Sequence, residues 1–151
     1  MGESSELLLR VIGVYSQQEQ NKGLRHFVRL YDIVHTRQLY LWVGQFEAWA
    51  IATALEGKPD LSPNLHPASR DIPYVHRLIL TLLQSCDGTL EKVCINDVQG
   101  ETFYALAFLR VGDKVHEIDL RPSDALALAL RAKCPIYSEE AVMDAAGQRV
   151  S

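Results

Sequence analysis

The stretch Thr102–Val111 constrains the fold more than any other part of the chain. Read alternately, Phe103, Ala105, Ala107 and Leu109 form one apolar row, and Tyr104, Leu106 and Phe108 form the other. Successive side chains of a strand point to opposite faces. Apolar residues in both rows predict a central strand covered on both sides. Its neighbours are supplied nearby. Lys92–Val98 precedes it across Gln99-Gly100-Glu101, and Val115–Leu120 follows the tight Gly112-Asp113 turn.

Leu7 to Tyr15, His26 to Val34 and Gln38 to Val43 read as three earlier strands. Ser16 to Gly23 reads as a polar loop between the first two, and His35-Thr36-Arg37 as a hairpin link. Helical segments alternate with these strands. Phe46 to Leu55 is rich in Ala and stops at Gly57. Pro73 opens a helix to about Ser85, and Pro122 opens another through Arg131. Pro135-Ile136-Tyr137 reads as a short buried extended piece, and Ser138 as the cap of a last helix to about Ala146. Lys58 to Ile72, with Pro59, Pro63 and Pro67, is the longest irregular segment. The order of elements predicts a single compact α+β domain over residues 1–151, with a mixed or antiparallel sheet packed with about four helices.

Charge limits the partners. Lys+Arg number 15 against 19 Asp+Glu, a net charge of -4, which argues against whole-surface attraction to nucleic acid or anionic lipid. Only a local basic patch would serve. No apolar run approaches the roughly 18 residues of a membrane span. The N-terminus has no signal-peptide pattern, and Glu6 breaks the myristoylation pattern begun by Met1-Gly2. Cys86, Cys94 and Cys134 form no CxxC pair, and their apolar settings predict buried free thiols in a reducing compartment. The expected location is cytoplasmic.

There is no P-loop, GxSxG, HExxH or zinc-ligand spacing. Attention falls instead on charged residues in apolar company. Glu47 shares a helical stripe with Ala50, Ile51 and Ala54. It is either a metal ligand or general base, or a first-turn glutamate favoured by the helix dipole and paired with an arginine across an interface. In Arg121-Pro122-Ser123-Asp124 a strand runs straight into a helix. Its freed N–H groups, with Arg121 and Ser123, suit a phosphate. Two residues apart, Asp119 and Arg121 are expected on one side of the strand, where Asp119 and Asp124 would hold a divalent cation. The competing reading is that Asp124 serves the helix start while Arg121 pairs with Asp119 or Glu47. His76, beside Arg77, is either a structural histidine or a general acid or base. Arg70, with Asp71 and His66, offers a basic edge for substrate. Trp42 and Trp49 are expected as core or subunit-interface anchors.

These blocks together resemble a known family. Leu41-Trp42-Val43-Gly44-Gln45-Phe46-Glu47-Ala48, Phe103-Tyr104-Ala105, Arg121-Pro122-Ser123-Asp124-Ala125 and Pro135-Ile136-Tyr137 are similar in order and spacing to the bifunctional nuclease domain family, from about Leu8 to Gly147. The resemblance implies an α+β domain, usually a homo-oligomer (dimer or trimer), with nuclease activity on DNA and RNA in some members. Glu47 matches the family's Gly-x-x-Glu-Ala block, and Arg121, Ser123 and Asp124 match its Arg-Pro-Ser-Asp block. One block departs from the pattern. Where the family has Arg-Pro-x-x-His-Asp-Leu, Arg70 to Leu78 keeps an Arg, a Pro and His76 at altered spacing, with Arg77 in place of the Asp.

The expectation is therefore a metal-assisted nuclease. Glu47, His76 and Asp124 would be catalytic, and Arg121, Ser123 and Arg70 would bind substrate. Asp119 and Asp124 would hold Mg²⁺ or Mn²⁺, with no organic cofactor. The alternative is a non-catalytic homo-oligomeric binding or regulatory module in which Glu47, Arg121 and Asp124 form a structural network.

Overall fold

The computed structural model describes residues 5–21, 23–34, 37–57 and 75–149. Arg70, His66, Asp71, Pro73 and the His35-Thr36 link lie outside the described residues. The elements run β1 (Glu6–Glu19), β2 (Gly23–Asp32), β3 (Arg37–Val43), α1 (Gln45–Leu55), α2 (Val75–Ser85), β4 (Gly88–Gln99), β5 (Thr102–Val111) and β6 (Lys114–Leu120). They continue with α3 (Pro122–Ala132), β7 (Ile136–Glu139), α4 (Glu140–Ala146) and β8 (Gln148–Arg149). The strands form one mixed sheet in the order β6-β5-β4-β7-β1-β2-β3-β8. This is the anticipated α+β architecture with four helices.

Two antiparallel units, β1–β2–β3 and β4–β5–β6, are joined through β7, which pairs antiparallel with β1 and parallel with β4. The polar run Ser16 to Gln18, expected as loop, continues β1 instead. Asn21 (φ 65°) and Gly23 (φ 75°) supply the left-handed backbone that lets Glu19 pair directly with Gly23. A register shift between Val11 and Gly13 keeps Leu9, Val11 and Val14 on one face despite their uneven spacing. The last helix is preceded by Glu139 rather than capped by Ser138, whose hydroxyl donates to the Glu139 carbonyl at 3.0 Å. The two-residue strand β8 has no clear sequence signal.

All four helices contribute to one core on one face of the sheet. Helix α3 is central to it. Its residues Ala125 to Ala129 are all buried, and its alanines let the backbone approach Ala105 and Ala107 of β5. Ile51 of α1, Leu126 of α3 and Met143 of α4 are fully buried beside Leu30 and Leu39. Each contributes about 1.5–3 kcal/mol by burial.

The opposite sheet face corrects the expectation for Thr102–Val111. Tyr104 is exposed, and Leu106 and Phe108 are only half-buried, because no described helix packs there. On that face β1–β3 carry Tyr15, Phe27, Tyr40 and Trp42 as well as Leu8, with Trp42 exposed instead of buried in the core. The cysteines divide as well: Cys94 is buried, Cys134 partly buried and Cys86 exposed. No described helix is long and apolar enough to cross a membrane.

Candidate active site

Strand β6 ends at Leu120, and Arg121 carries the chain into α3 in an extended conformation (φ −68°, ψ 146°), with Pro122 fixing the first turn. That turn presents Asp124. Helix α1 starts in the same way after Gly44 (φ −73°, ψ 169°) and presents Glu47 in its first turn. Helices α1 and α3 pack together, and the start of α2 brings His76 against α3. Three helix starts thus supply one corner.

Arg121 holds the corner together. Its Nε donates to Asp124 Oδ2 at 2.9 Å, and its Nη2 donates to Asp124 Oδ1 at 3.2 Å and to Glu47 Oε2 at 3.3 Å. His76 Nε2 completes the set at 2.9 Å from Asp124 Oδ1. Burial by itself would raise the Asp124 pKa. The hydrogen bonds and charges of Arg121 and His76 outweigh it and hold the carboxyl below its ordinary value. The same carboxylate raises the Arg121 guanidinium above its own ordinary value, with Glu47 adding to the effect.

An ionised carboxylate only accepts hydrogen bonds, so His76 Nε2 carries the proton that Asp124 receives. His76 is 5% exposed, and among the described residues its Nδ1 is buried without a hydrogen-bond partner. Glu47 is placed differently. Its Oε2 takes Arg121, while Oε1 folds back over Gly44 into the position that a Cβ on residue 44 would occupy. The absence of a side chain at Gly44 is thus a condition of the geometry. Sequence reading saw Gly44 as a break in pattern and missed this role, although the three-residue spacing to Glu47 carries the signal.

Arg121 stands between two hollows. On one side a cavity of about 760 Å³ is walled by Ile79 and Leu82 of α2 with Ile118 and Leu120 of β6, and reaches His76 and Asp124. On the other a hollow of about 310 Å³ is lined by Trp42, Gly44, Phe103, Arg121 and Ser123. The Arg121 side chain is 64% exposed between them.

Of the anticipated residues, Glu47, His76, Arg121 and Asp124 converge. Ser123 is buried beside them and lines the smaller hollow. Asp119 does not converge. It pairs with Leu106 across β5–β6, on the sheet face opposite Ala105 and Ala107. The two-residue rule fails because Arg121 has already left the strand. Arg77 is exposed and faces a different hollow, shared with Gln84 and Arg131.

A divalent cation needs carboxylate oxygens open to it. Both oxygens of Asp124 already accept hydrogen bonds, and the Arg121 guanidinium bridges Asp124 and Glu47, taking the part a cation would play. Among the described residues only Glu47 Oε1 is left open here, so in this arrangement the corner offers Mg²⁺ or Mn²⁺ one carboxylate oxygen rather than the several such an ion takes. Glu6, Cys94 and Glu139 also bring ligand atoms within 4.8 Å of one another on the opposite sheet face. There Lys92 Nζ sits 2.7 Å from Glu6 Oε1, and burial followed by Glu6 pushes the Cys94 thiol up to about 12. That group is a protonated thiol beside an ion pair.

The family model for the bifunctional nuclease domain matches residues 29–151. Two relatives from strains of Mycobacterium tuberculosis, the uncharacterized proteins MT1877 and Rv1829, are each 38% identical over 140 residues. The match covers 92% of this chain and 75% of each relative.

Proposed function

The chain belongs to the bifunctional nuclease domain family, and we propose from that premise that it hydrolyses phosphodiester bonds in DNA or RNA at the Arg121 corner. The observation that carries the reading is an exposed guanidinium held by two carboxylates, one of which keeps an oxygen without a hydrogen bond among the described residues. Arg121 binds the scissile phosphate through its open side and offsets charge that grows in the transition state. Asp124 fixes the guanidinium plane. His76, closed off at Nδ1, acts as a positioning residue by holding Asp124.

Glu47 is the general base. Its Oε1, without a hydrogen bond among the described residues, takes a proton from water as the water oxygen attacks phosphorus. The bond from phosphorus to the leaving oxygen breaks, and that oxygen takes a proton from solvent. Assembly into dimers or trimers belongs to the same reading, supported by the exposed Val75, Leu78 and Leu82 along α2.

The rival is a structural network without catalysis, favoured by the saturation of both Asp124 oxygens. Cleavage of labelled single and double strands by wild type and Glu47→Gln, each with EDTA or with added Mg²⁺ or Mn²⁺, separates the two. We expect Glu47→Gln to fold and to lose activity by about 10²–10⁴-fold. Wild-type cleavage by the folded variant removes Glu47 from the reaction. No cleavage by wild type with or without metal leaves the network. Strict loss with EDTA restores the metal expected from sequence and displaces the Arg121 scheme.

A further inference from the structure

The open face of the sheet is chemically divided. Over β4–β6 and β7 it carries Glu139, Glu117 and Asp119, and at the border Glu6 of β1 is paired with Lys92 of β4. Over β1–β3 it is aromatic and basic. Phe27 lies at the centre of a ring cluster, stacked on Tyr15 at 5.5 Å and edge-on to Tyr40 at 5.6 Å and Trp42 at 5.2 Å. Tyr15 is 38% exposed and Trp42 is 43% exposed. The Arg25 guanidinium lies 3.9 Å from the Trp42 ring centre, and that of Arg29 lies 5.8 Å from Tyr15. Arg10 joins them on the same face, opposite Tyr31, while Glu19 is taken up by Arg25 at 2.8 Å.

We infer that this half-face is a stacking surface for single-stranded nucleic acid, leading through Trp42 and Gly44 to the Arg121 corner. Every base has a flat π-face, so exposed rings hold successive bases without regard to sequence. Arginines among the rings meet the phosphates between them. A duplex hides its base faces, so single strands are preferred. Continuity with the corner is physical. One hollow at the end of β3 is lined by Arg25, Trp42 and Gly44, and the next by Trp42, Gly44 and Arg121. A strand lying on the rings therefore reaches Arg121, which holds Glu47, and meets one acidic side chain in the second hollow, Glu101. Face-to-face packing of two copies fits less well, because it sets Arg10, Arg25 and Arg29 against the same residues of the second copy. The surface rests on the nuclease reading for its substrate, but binding is measured without cleavage.

The test uses the full 151-residue chain in EDTA with labelled oligo-dT and oligo-rU of roughly 15 nucleotides and a duplex of equal length. Fluorescence anisotropy should show single strands bound more tightly than duplex, the tighter arm naming the preferred sugar. Trp42→Leu and Tyr15→Leu should each loosen single-strand binding roughly tenfold, with unchanged thermal unfolding. Arg25→Gln and Arg29→Gln, which spare the rings, should flatten the dependence on salt. Single-strand affinity unchanged in the folded ring variants overturns the surface, as does an altered mass by light scattering with affinity intact, which makes the face an interface between copies. Ring-dependent binding without cleavage refutes the nuclease reading alone. Cleavage lost in Glu47→Gln with ring-independent binding refutes the surface alone.

Discussion

His76 Nε2 sits 2.9 Å from Asp124 Oδ1, a bond between two helices made by residues 48 apart in the chain. It ties α2 to the start of α3 and leaves the guanidinium of Arg121 to fill the rest of the carboxylate. Removing the acid breaks three contacts at once. Asp124→Ala should therefore destabilise the fold by about 1–3 kcal/mol, because the buried N–H of His76 loses its acceptor. Urea unfolding checks this, and an unchanged midpoint would show that the bond contributes nothing to stability.

The same carboxylate gives acid stability a definite sign. Its folded pKa is depressed from an ordinary 3.8, so its stabilisation is fully present above that value. It is lost as pH falls through the lower folded value. Urea midpoints taken from about pH 5 down to pH 2 should fall less steeply for Asp124→Asn than for wild type. Parallel curves would place the acid limb in other carboxylates.

Gly44→Ala tests the fit between α1 and its own first turn. The new Cβ takes the place of Glu47 Oε1, so the carboxylate must swing away from Arg121. Cleavage should fall about a hundredfold, as for a small misplacement of a reacting group. Stability should change by less than about 1 kcal/mol, because the loss of glycine at the N-cap and the stiffening of the unfolded chain oppose each other. Gly100→Ala is the control. Gly100 has φ 65° in open space, so a side chain there strains the backbone and should lower stability without touching activity.

Thiol labelling should separate the three cysteines. Cys86 is exposed, whereas burial pushes Cys134 up to about 11, and burial followed by Glu6 pushes Cys94 up to about 12. At pH 8 an aromatic disulfide reagent should titrate one thiol quickly and the other two only after unfolding. Three fast equivalents would mean that the β4 and α3–β7 regions open readily. Because Cys86 borders the larger cavity beside His76, a bulky adduct there also asks whether that cavity must stay free for activity.

Much of the fold was legible because its signals are local. Alternation located β2, β3, β5 and β6, and Pro122 marked the start of α3 to the residue. Register and layering were not local. Leu106 and Phe108 look the same in sequence whether a helix covers them or not, so a strand covered on one side was read as covered on both. Ser16 to Gln18 are polar because their strand outlasts the helices behind it, which a composition window takes for a loop.

At the site, Glu47, His76, Arg121 and Asp124 stood out as charges among Ala and Leu, and their convergence follows from α3 packing against both α1 and α2. Asp119 misled because strand spacing was extended past Leu120 into a helix cap. Trp42, expected as a core or subunit-interface anchor, fails only as a core residue, because its pleat position turns it outward beneath Arg25.

The place of β7 sets a condition on how the molecule is built. Among the described residues the backbone ladders of the two three-stranded units are joined through this four-residue strand, which comes after both of them in the chain. During synthesis each unit can form its own hairpins, but the sheet stays in two pieces until β7 has left the ribosome. Closure is then a late, long-range event, with one parallel pairing among antiparallel ones. Until it happens, the β1 and β4 edges stand unpaired side by side in the nascent chain, and the interval before β7 arrives is when a chaperone has most to protect.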